Sequence, residues 1–274
     1  MDIKHKYITR KSGEILTRFN VLGRSWFTYD DVTQIFPQTN IKTIRQQISR
    51  MVNDGLLLRL KEGIFYIIPY EQDSSNYIPD WHLLAEPLAG KDYYIGYYSA
   101  LQIHNLITQP SLKEQIVVDT QIKPSIIEVR GVKFQFIYHN TKHFFGYKKT
   151  WIDSFNKVLC SDLEKTIIDC LHRPDYAGGI VEIAKAIYIA KDKLKYDQLL
   201  NYIVKFGSQS VPKRLGYILE LLNIDAPCIE ELNKLLTDSI AVLDTTTPKE
   251  GVINTRWRIQ QNVDSETIKS VIFT

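Results

Sequence analysis

Between residues 27 and 67 the apolar positions change period twice. Val32, Ile35 and Phe36 recur at helical spacing and predict a short helix that starts after Thr28. Thr28 is a good N-cap, Asp31 three residues on gives a weak capping-box pattern, and Asp30 and Asp31 suit the positive end of the helix dipole. Pro37 stops that helix, and Thr39 or Asn40 caps the next. There Ile41, Ile44, Ile48, Met51 and Val52 form the inward stripe of a second helix. It ends at Asn53-Asp54-Gly55, with Gly55 in the left-handed C-terminal position. Two β-prone runs follow, Leu56–Leu60 and Ile64–Ile68, joined by Lys61-Glu62-Gly63 as a hairpin turn. A further helix, about Gly13 to Leu22, precedes the pair.

Helix, turn, helix, hairpin is the order of a winged helix-turn-helix, whose second helix enters the major groove of DNA. At 100° per residue, Lys42, Thr43, Gln46, Ser49, Arg50 and Asn53 face away from the apolar stripe, with Arg45 and Gln47 on its flanks. No acid interrupts that face before Asp54. Lys42, Arg45, Arg50, Arg59 and Lys61 are suited to phosphates, and Thr43, Gln46 and Arg50 to base edges; Arg59 and Lys61 fall on the hairpin. The competing reading is a module that contacts protein, since a polar helix face is ordinarily just solvated. Charge bears on the choice. Residues 1–66 hold 11 Lys and Arg against 6 Asp and Glu, a net +5, whereas the whole chain is +3 and residues 67–274 therefore −2. The positive charge lies where the motif lies.

The stretch 71–80 is polar, contains proline, has no clear period and reads as a linker between domains at 1–70 and 81–274. In the second, Gln115–Thr120, Ser125–Gly131 and Val132–His139 read as strands with a hairpin turn at Arg130-Gly131. His143–Tyr147 and Lys157–Ser161 are short extended pieces, and Ser99 is a candidate N-cap. From Ser161 to Leu236 the text is helical, opening on a capping box of Ser161 and Glu164. The expected fold class is α+β: a winged helix-turn-helix followed by a larger α/β domain with a C-terminal helical part.

At 274 residues, with 44% hydrophobic and 24% charged residues, the chain has the composition of an ordinary globular protein. It shows no transmembrane run and no secretory signal pattern, and the odd, widely spaced Cys160, Cys170 and Cys228 suit buried thiols in a reducing cytoplasm. Catalytic frames are missing. Gly178-Gly179 lacks a nucleotide-loop pattern and reads as the entry to a helix. Asp119, Glu128 and Arg130 resemble a nuclease core only loosely and are better explained as solvent-facing charges. His139 and His143 sit in a loop with no acid between them, a poor metal site, and Arg173 with Asp175 reads as a structural ion pair. No enzyme activity, cofactor or metal is expected. The aromatic clusters at Tyr93, Tyr94, Tyr97 and Tyr98, and at Phe144, Phe145, Tyr147 and Trp151, suit core, a partner surface, or stacking on single-stranded nucleic acid.

Gly96–Gln109 together with Ser161–Ile187 resembles the AbiEi-type antitoxin family. The marks are Leu-Glu-Lys-Thr at 163–166, Asp169, Arg173-Pro174 and Gly178-Gly179, in the same order after a winged helix-turn-helix, over nearly the whole chain. The resemblance implies a repressor of its own operon that binds inverted repeats in the promoter. It also implies an antitoxin that neutralises a nucleotidyltransferase-like toxin in abortive infection, without a stable complex. The matched DNA-reading positions would be Lys42, Thr43, Gln46, Arg50 and Lys61. Some relatives add a basic face on the large domain. Here the net −2 of residues 67–274 leaves only local patches for that, at Lys148-Lys149, Lys191/Lys193/Lys195, Lys213-Arg214 and Arg256/Arg258. Two other readings stay open: a ligand-responsive regulator with a pocket in the large domain, and a metal-dependent nuclease.

Overall fold

A computed structural model describes residues 6–273. The fold is mixed α+β, in two units. One runs to Lys91 and includes Glu128–Val132; the other comprises Asp92–Ile127 and the chain from Lys133 onward. The first unit thus extends past the expected linker at 71–80.

In the first unit, α1 (Arg10–Val21) begins earlier than the periodicity suggests, because Thr9 accepts the Ser12 amide and caps it. A short strand not foreseen from the pattern, β1 (Trp26–Thr28), leads into α2 (Tyr29–Ile35). Thr28 and Asp31 form a full capping box, each side chain taking the other's backbone N–H at 3.1 and 2.7 Å. Then α3 (Ile41–Asn53) is capped by Asn40, which accepts the Lys42 amide at 2.8 Å. It ends in a Schellman arrangement: Gly55 lies at φ 72° and the Leu56 N–H reaches the Met51 carbonyl at 2.9 Å. Strands β2 (Leu57–Lys61) and β3 (Ile64–Ile67) follow, and β3 pairs antiparallel with both β1 and β2. Ile15, Phe19, Phe27, Val32, Ile44, Ile48, Met51 and Phe65 make its core, with Phe19 and Phe27 stacked at 4.4 Å. Ile41, assigned inward by its spacing, is 41% exposed: as the first helical residue it precedes the turn that meets α1 and α2. A small helix, α4 (Ala85–Ala89), closes the unit.

The second unit holds a mixed sheet in the order β6-β7-β5-β4-β9-β8. Its strands are β4 (Tyr93–Ile95), β5 (Lys113–Val118), β6 (Ile126–Val129), β7 (Val132–Tyr138), β8 (Tyr147–Trp151) and β9 (Lys157–Ser161). Helix α5 (Tyr97–Ile103) follows β4 and starts at Gly96 rather than Ser99, whose hydroxyl instead bonds the Lys113 carbonyl and the Gln115 amide. Helices α6 (Leu163–His172), α7 (Ile180–Ala190), α8 (Tyr196–Phe206), α9 (Ser210–Leu221) and α10 (Ile229–Lys234) form the helical part. The cap of α6 is Asp162, which accepts the Lys165 amide, and not Ser161, which belongs to β9; Glu164 accepts the Lys195 amide instead of closing a capping box. Gly178 and Gly179, at φ 78° and 90°, open α7, and the carboxylate of Asp244 caps it through the Ile180 N–H at 2.7 Å. A Cβ at Gly179 would press on that carboxylate. Three two-residue strands, β10 (Ala241–Val242), β11 (Ile253–Asn254) and β12 (Ile259–Gln260), and a last helix, α11 (Ser265–Lys269), complete it. Trp257 is fully buried against α9, in space that any side chain at Gly216 would occupy.

Candidate nucleic-acid interface

The outer face of α3 is built by its inner one. Ile44, Ile48 and Met51 are buried at 3% exposure or less, which turns Lys42, Thr43, Arg45, Gln46, Ser49 and Arg50 to solvent. Among the described residues none of its three cations forms an ion pair, and the helix carries no acid. The flank is fixed from within: Gln47 donates to Ser12 Oγ at 2.9 Å, tying α3 to the start of α1. Arg45 lies over the Tyr29 ring at 5.6 Å, which holds the guanidinium without neutralising it. Behind it, Arg24 grips Asp31 with two bonds at 2.7 and 3.1 Å. Burial pushes the Asp31 carboxyl up, but Arg24 and Thr28 outweigh it and hold the carboxyl below its ordinary range.

On the hairpin the two expected phosphate contacts differ. Arg59 is exposed, with its guanidinium 5.7 Å from the Phe65 ring. Lys61, expected at the free tip, instead donates to the Leu88 carbonyl at 2.8 Å, and burial lowers the pKa of its amine. Six of the seven sequence-selected residues, Lys42, Thr43, Arg45, Gln46, Arg50 and Arg59, therefore have side chains open to a ligand, and Lys61 has its amine engaged.

The second unit holds a site that the sequence reading did not assemble. Lys165 and Asp169, one helical turn apart on α6, form an ion pair at 0% exposure. Lys165 also donates to Tyr94 Oη at 3.0 Å, and Tyr94 donates its single proton to Asp169 Oδ2 at 3.0 Å. His139 must then offer Nδ1–H to Tyr94 Oη at 3.1 Å and accept at Nε2 from the Tyr97 hydroxyl at 2.7 Å, which fixes its tautomer. Burial holds His139 neutral, its pKa pushed down to about 4 against the pull of Asp169. Burial raises Tyr94 and Tyr97 well above the ordinary phenol range, with Asp169 adding to both, and lowers Lys165 against the pull of the same carboxylate. Tyr97 sits at φ 53°, a left-handed conformation costly for a bulky residue and sustained by its burial and by His139. A cleft of about 140 Å³ opens beside it, lined by Tyr97, His139, Asn140, His143, His172 and Arg173. That volume takes a few waters or a small ion and is well short of a drug-sized effector. The signal for this cluster was present as Lys165 and Asp169 four apart on one helix, but their tyrosine and histidine partners lie 30 to 75 residues away.

The remaining sequence candidates fall apart or inward. Asp119 and Glu128 are exposed, Arg130 donates to the carbonyls of Tyr77 and Ser74, and no group of three metal-binding side chains exists among the described residues. His143 bonds the Phe206 carbonyl at 3.1 Å, and Arg173 pairs with Asp175 at 2.9 Å. Lys213 and Arg214 make no surface patch: both are buried, Lys213 on Ser239 and Arg214 on the carbonyls of Leu171, His172 and Val242. Arg256 pairs with Glu220 and Glu230, and Arg258 with Asp238. All three cysteines are free and buried, and no described helix is long and apolar enough to cross a membrane.

No protein-family model matches the chain. No curated protein matches it either. The crystal structure of the RV2827C protein from Mycobacterium tuberculosis is similar in fold, with a TM-score of 0.67 at 16% sequence identity, over 98% of this chain and 97% of that one. The likeness extends over both units and concerns the fold alone.

Proposed function

We propose that the first unit is a winged helix-turn-helix that binds double-stranded DNA with α3 in the major groove, and that the chain is an autorepressor and antitoxin. The observation that carries the DNA reading is the outer face of α3: Lys42, Thr43, Arg45, Gln46 and Arg50 are exposed together on a helix with no acid. Lys42, Arg45, Arg50 and Arg59 contact phosphates; Thr43, Gln46 and Arg50 read bases. The target is the inverted repeats of the protein's own promoter. A single module covers one half-site, so two copies occupy a repeat. The antitoxin role rests on the resemblance of Ser161–Ile187 to the AbiEi type, and its functional partner is a nucleotidyltransferase-like toxin, neutralised without a stable complex.

The test is a mobility shift of the promoter against a scrambled duplex at two salt concentrations, with wild type and Arg50→Ala. Specific, salt-sensitive binding that the variant weakens supports the reading. Equal affinity for both duplexes, or an unaffected variant, refutes it. Co-expression with a nucleotidyltransferase-like toxin encoded by a neighbouring gene tests the second half: failure to restore growth removes the antitoxin assignment and leaves the DNA assignment standing.

A further inference from the structure

We propose that the β8–β9 hairpin is a docking surface for single-stranded nucleic acid, with Phe155 and Trp151 as stacking platforms and Lys148, Lys149 and Lys157 as phosphate contacts. It belongs to the second unit, α3 to the first, and it does not depend on the operator reading. β8 is the edge of the six-stranded sheet. Its connection to β9 is a fixed turn: Asp153 Oδ1 accepts the N–H groups of Phe155 and Asn156, both at 2.7 Å, and Oδ2 accepts from the Asn156 side chain at 2.8 Å. On this turn Phe155 stands 89% exposed, and Trp151 just before it is 57% exposed. The Lys157 ammonium lies 4.0 Å from the Trp151 ring centroid, so one cation and one aromatic face are presented together.

Charge complementarity selects the occupant. Lys148, Lys149 and Lys157 are exposed and in no ion pair among the described residues. The one acid between Tyr147 and Lys157 is Asp153, whose two oxygens are committed to the turn. Lysines on an edge strand are explained by protection against pairing with another sheet. That explanation does not cover Phe155, because a bare phenyl ring on a rigid tip works against it. A polyanion with accessible base faces uses both features at once, and a duplex, whose bases are already stacked, uses only the lysines.

The experiment is fluorescence anisotropy of a labelled oligouridylate of about ten nucleotides, a typical single-strand site size, titrated with the full chain. Phe155→Ala, which removes nothing from the core, is expected to weaken binding roughly five- to a hundredfold. Lys149→Ala is expected to weaken it less and to flatten the salt slope by about 0.7. Arg50→Ala is expected to leave it unchanged. The proposal is overturned by an absence of binding, by a Phe155→Ala variant that binds like wild type, by an equal-length duplex that competes equally well, or by loss of binding in Arg50→Ala. Uptake on anionic vesicles that depends on Phe155, with no oligonucleotide binding, would make the hairpin a membrane contact and also overturn it.

Discussion

The two units treat charge in opposite ways. In the first, every described Lys, Arg, Asp and Glu keeps its residue at least partly in water, and the interior is aliphatic and aromatic. In the second, Glu114, Asp162, Glu164, Lys165, Asp169, Lys213, Arg214 and Asp244 are all buried. The contrast separates two kinds of motif. On α3, Lys42, Thr43, Gln46, Ser49 and Arg50 are exposed and open to a ligand. The buried polar residues of the Ser161–Ile187 block are instead spent inside the core: Asp162 caps α6, Glu164 accepts the Lys195 amide, and Lys165 and Asp169 neutralise each other. A sequence likeness resting on that block is therefore a likeness of interior architecture first.

The sharpest way to break the contrast is to remove one member of the buried pair. Asp169→Ala leaves Lys165 without its counter-charge and is expected to destabilise the second unit by about 3–5 kcal/mol in urea unfolding. Lys165→Met/Asp169→Leu is expected to recover most of that loss. A single variant as stable as wild type would mean that the pair is not desolvated. Acid probes the same core. His139 has a folded pKa of about 4, below the ordinary 6.5, so the unfolded chain takes up a proton that the folded one resists. Its contribution is complete above pH 6.5 and falls as pH drops toward 4, by about 3 kcal/mol for a shift of that size. A stability that is flat between pH 6.5 and 4.5 would show that His139 opens to water.

Smaller effects are expected in the first unit. If α3 reads the promoter as proposed, Arg50→Ala and Gln46→Ala should each cost about 1–3 kcal/mol of affinity for it. They should change unfolding by no more than about 0.5 kcal/mol, and an equal loss of both would mean that the α3 face is structural. Asp31→Ala removes half a capping box and the Arg24 pair and should cost about 1–2 kcal/mol of stability. The Asp31 carboxyl sits below its ordinary range, so this contribution is present above the unfolded pKa and fades as pH falls below it. A cost that persists undiminished in strong acid would assign the loss to packing.

What could be read in advance follows from locality. The stripe of Ile44, Ile48 and Met51, the Thr28–Asp31 box and the Gly55 stop act within a few residues, and each is where periodicity and capping chemistry put it. The misreadings have distant causes. Ser161 loses the cap of α6 because β9 needs it as a strand residue beside β8, and β1 exists only because β3, some forty residues on, pairs with it. Lys213 and Arg214 look like a surface patch until the carbonyls of Ser239, Val242 and Leu171 fold around them. The Lys61 contact with the Leu88 carbonyl is likewise distant in sequence. The exposed face of α3 was legible because the local stripe of Ile44, Ile48 and Met51 sets it.

Trp257 adds a matter of timing. The first unit's main apolar cluster is complete once Ile67 has been made. The helical core of the second keeps an indole-sized gap over Gly216 until residue 257 emerges, some forty residues after that glycine. At about 5–20 residues per second, a nascent chain spends seconds with that cluster made and the second unit open. In that interval the unit with the α3 face is present on the ribosome before the rest of the protein exists in its final form.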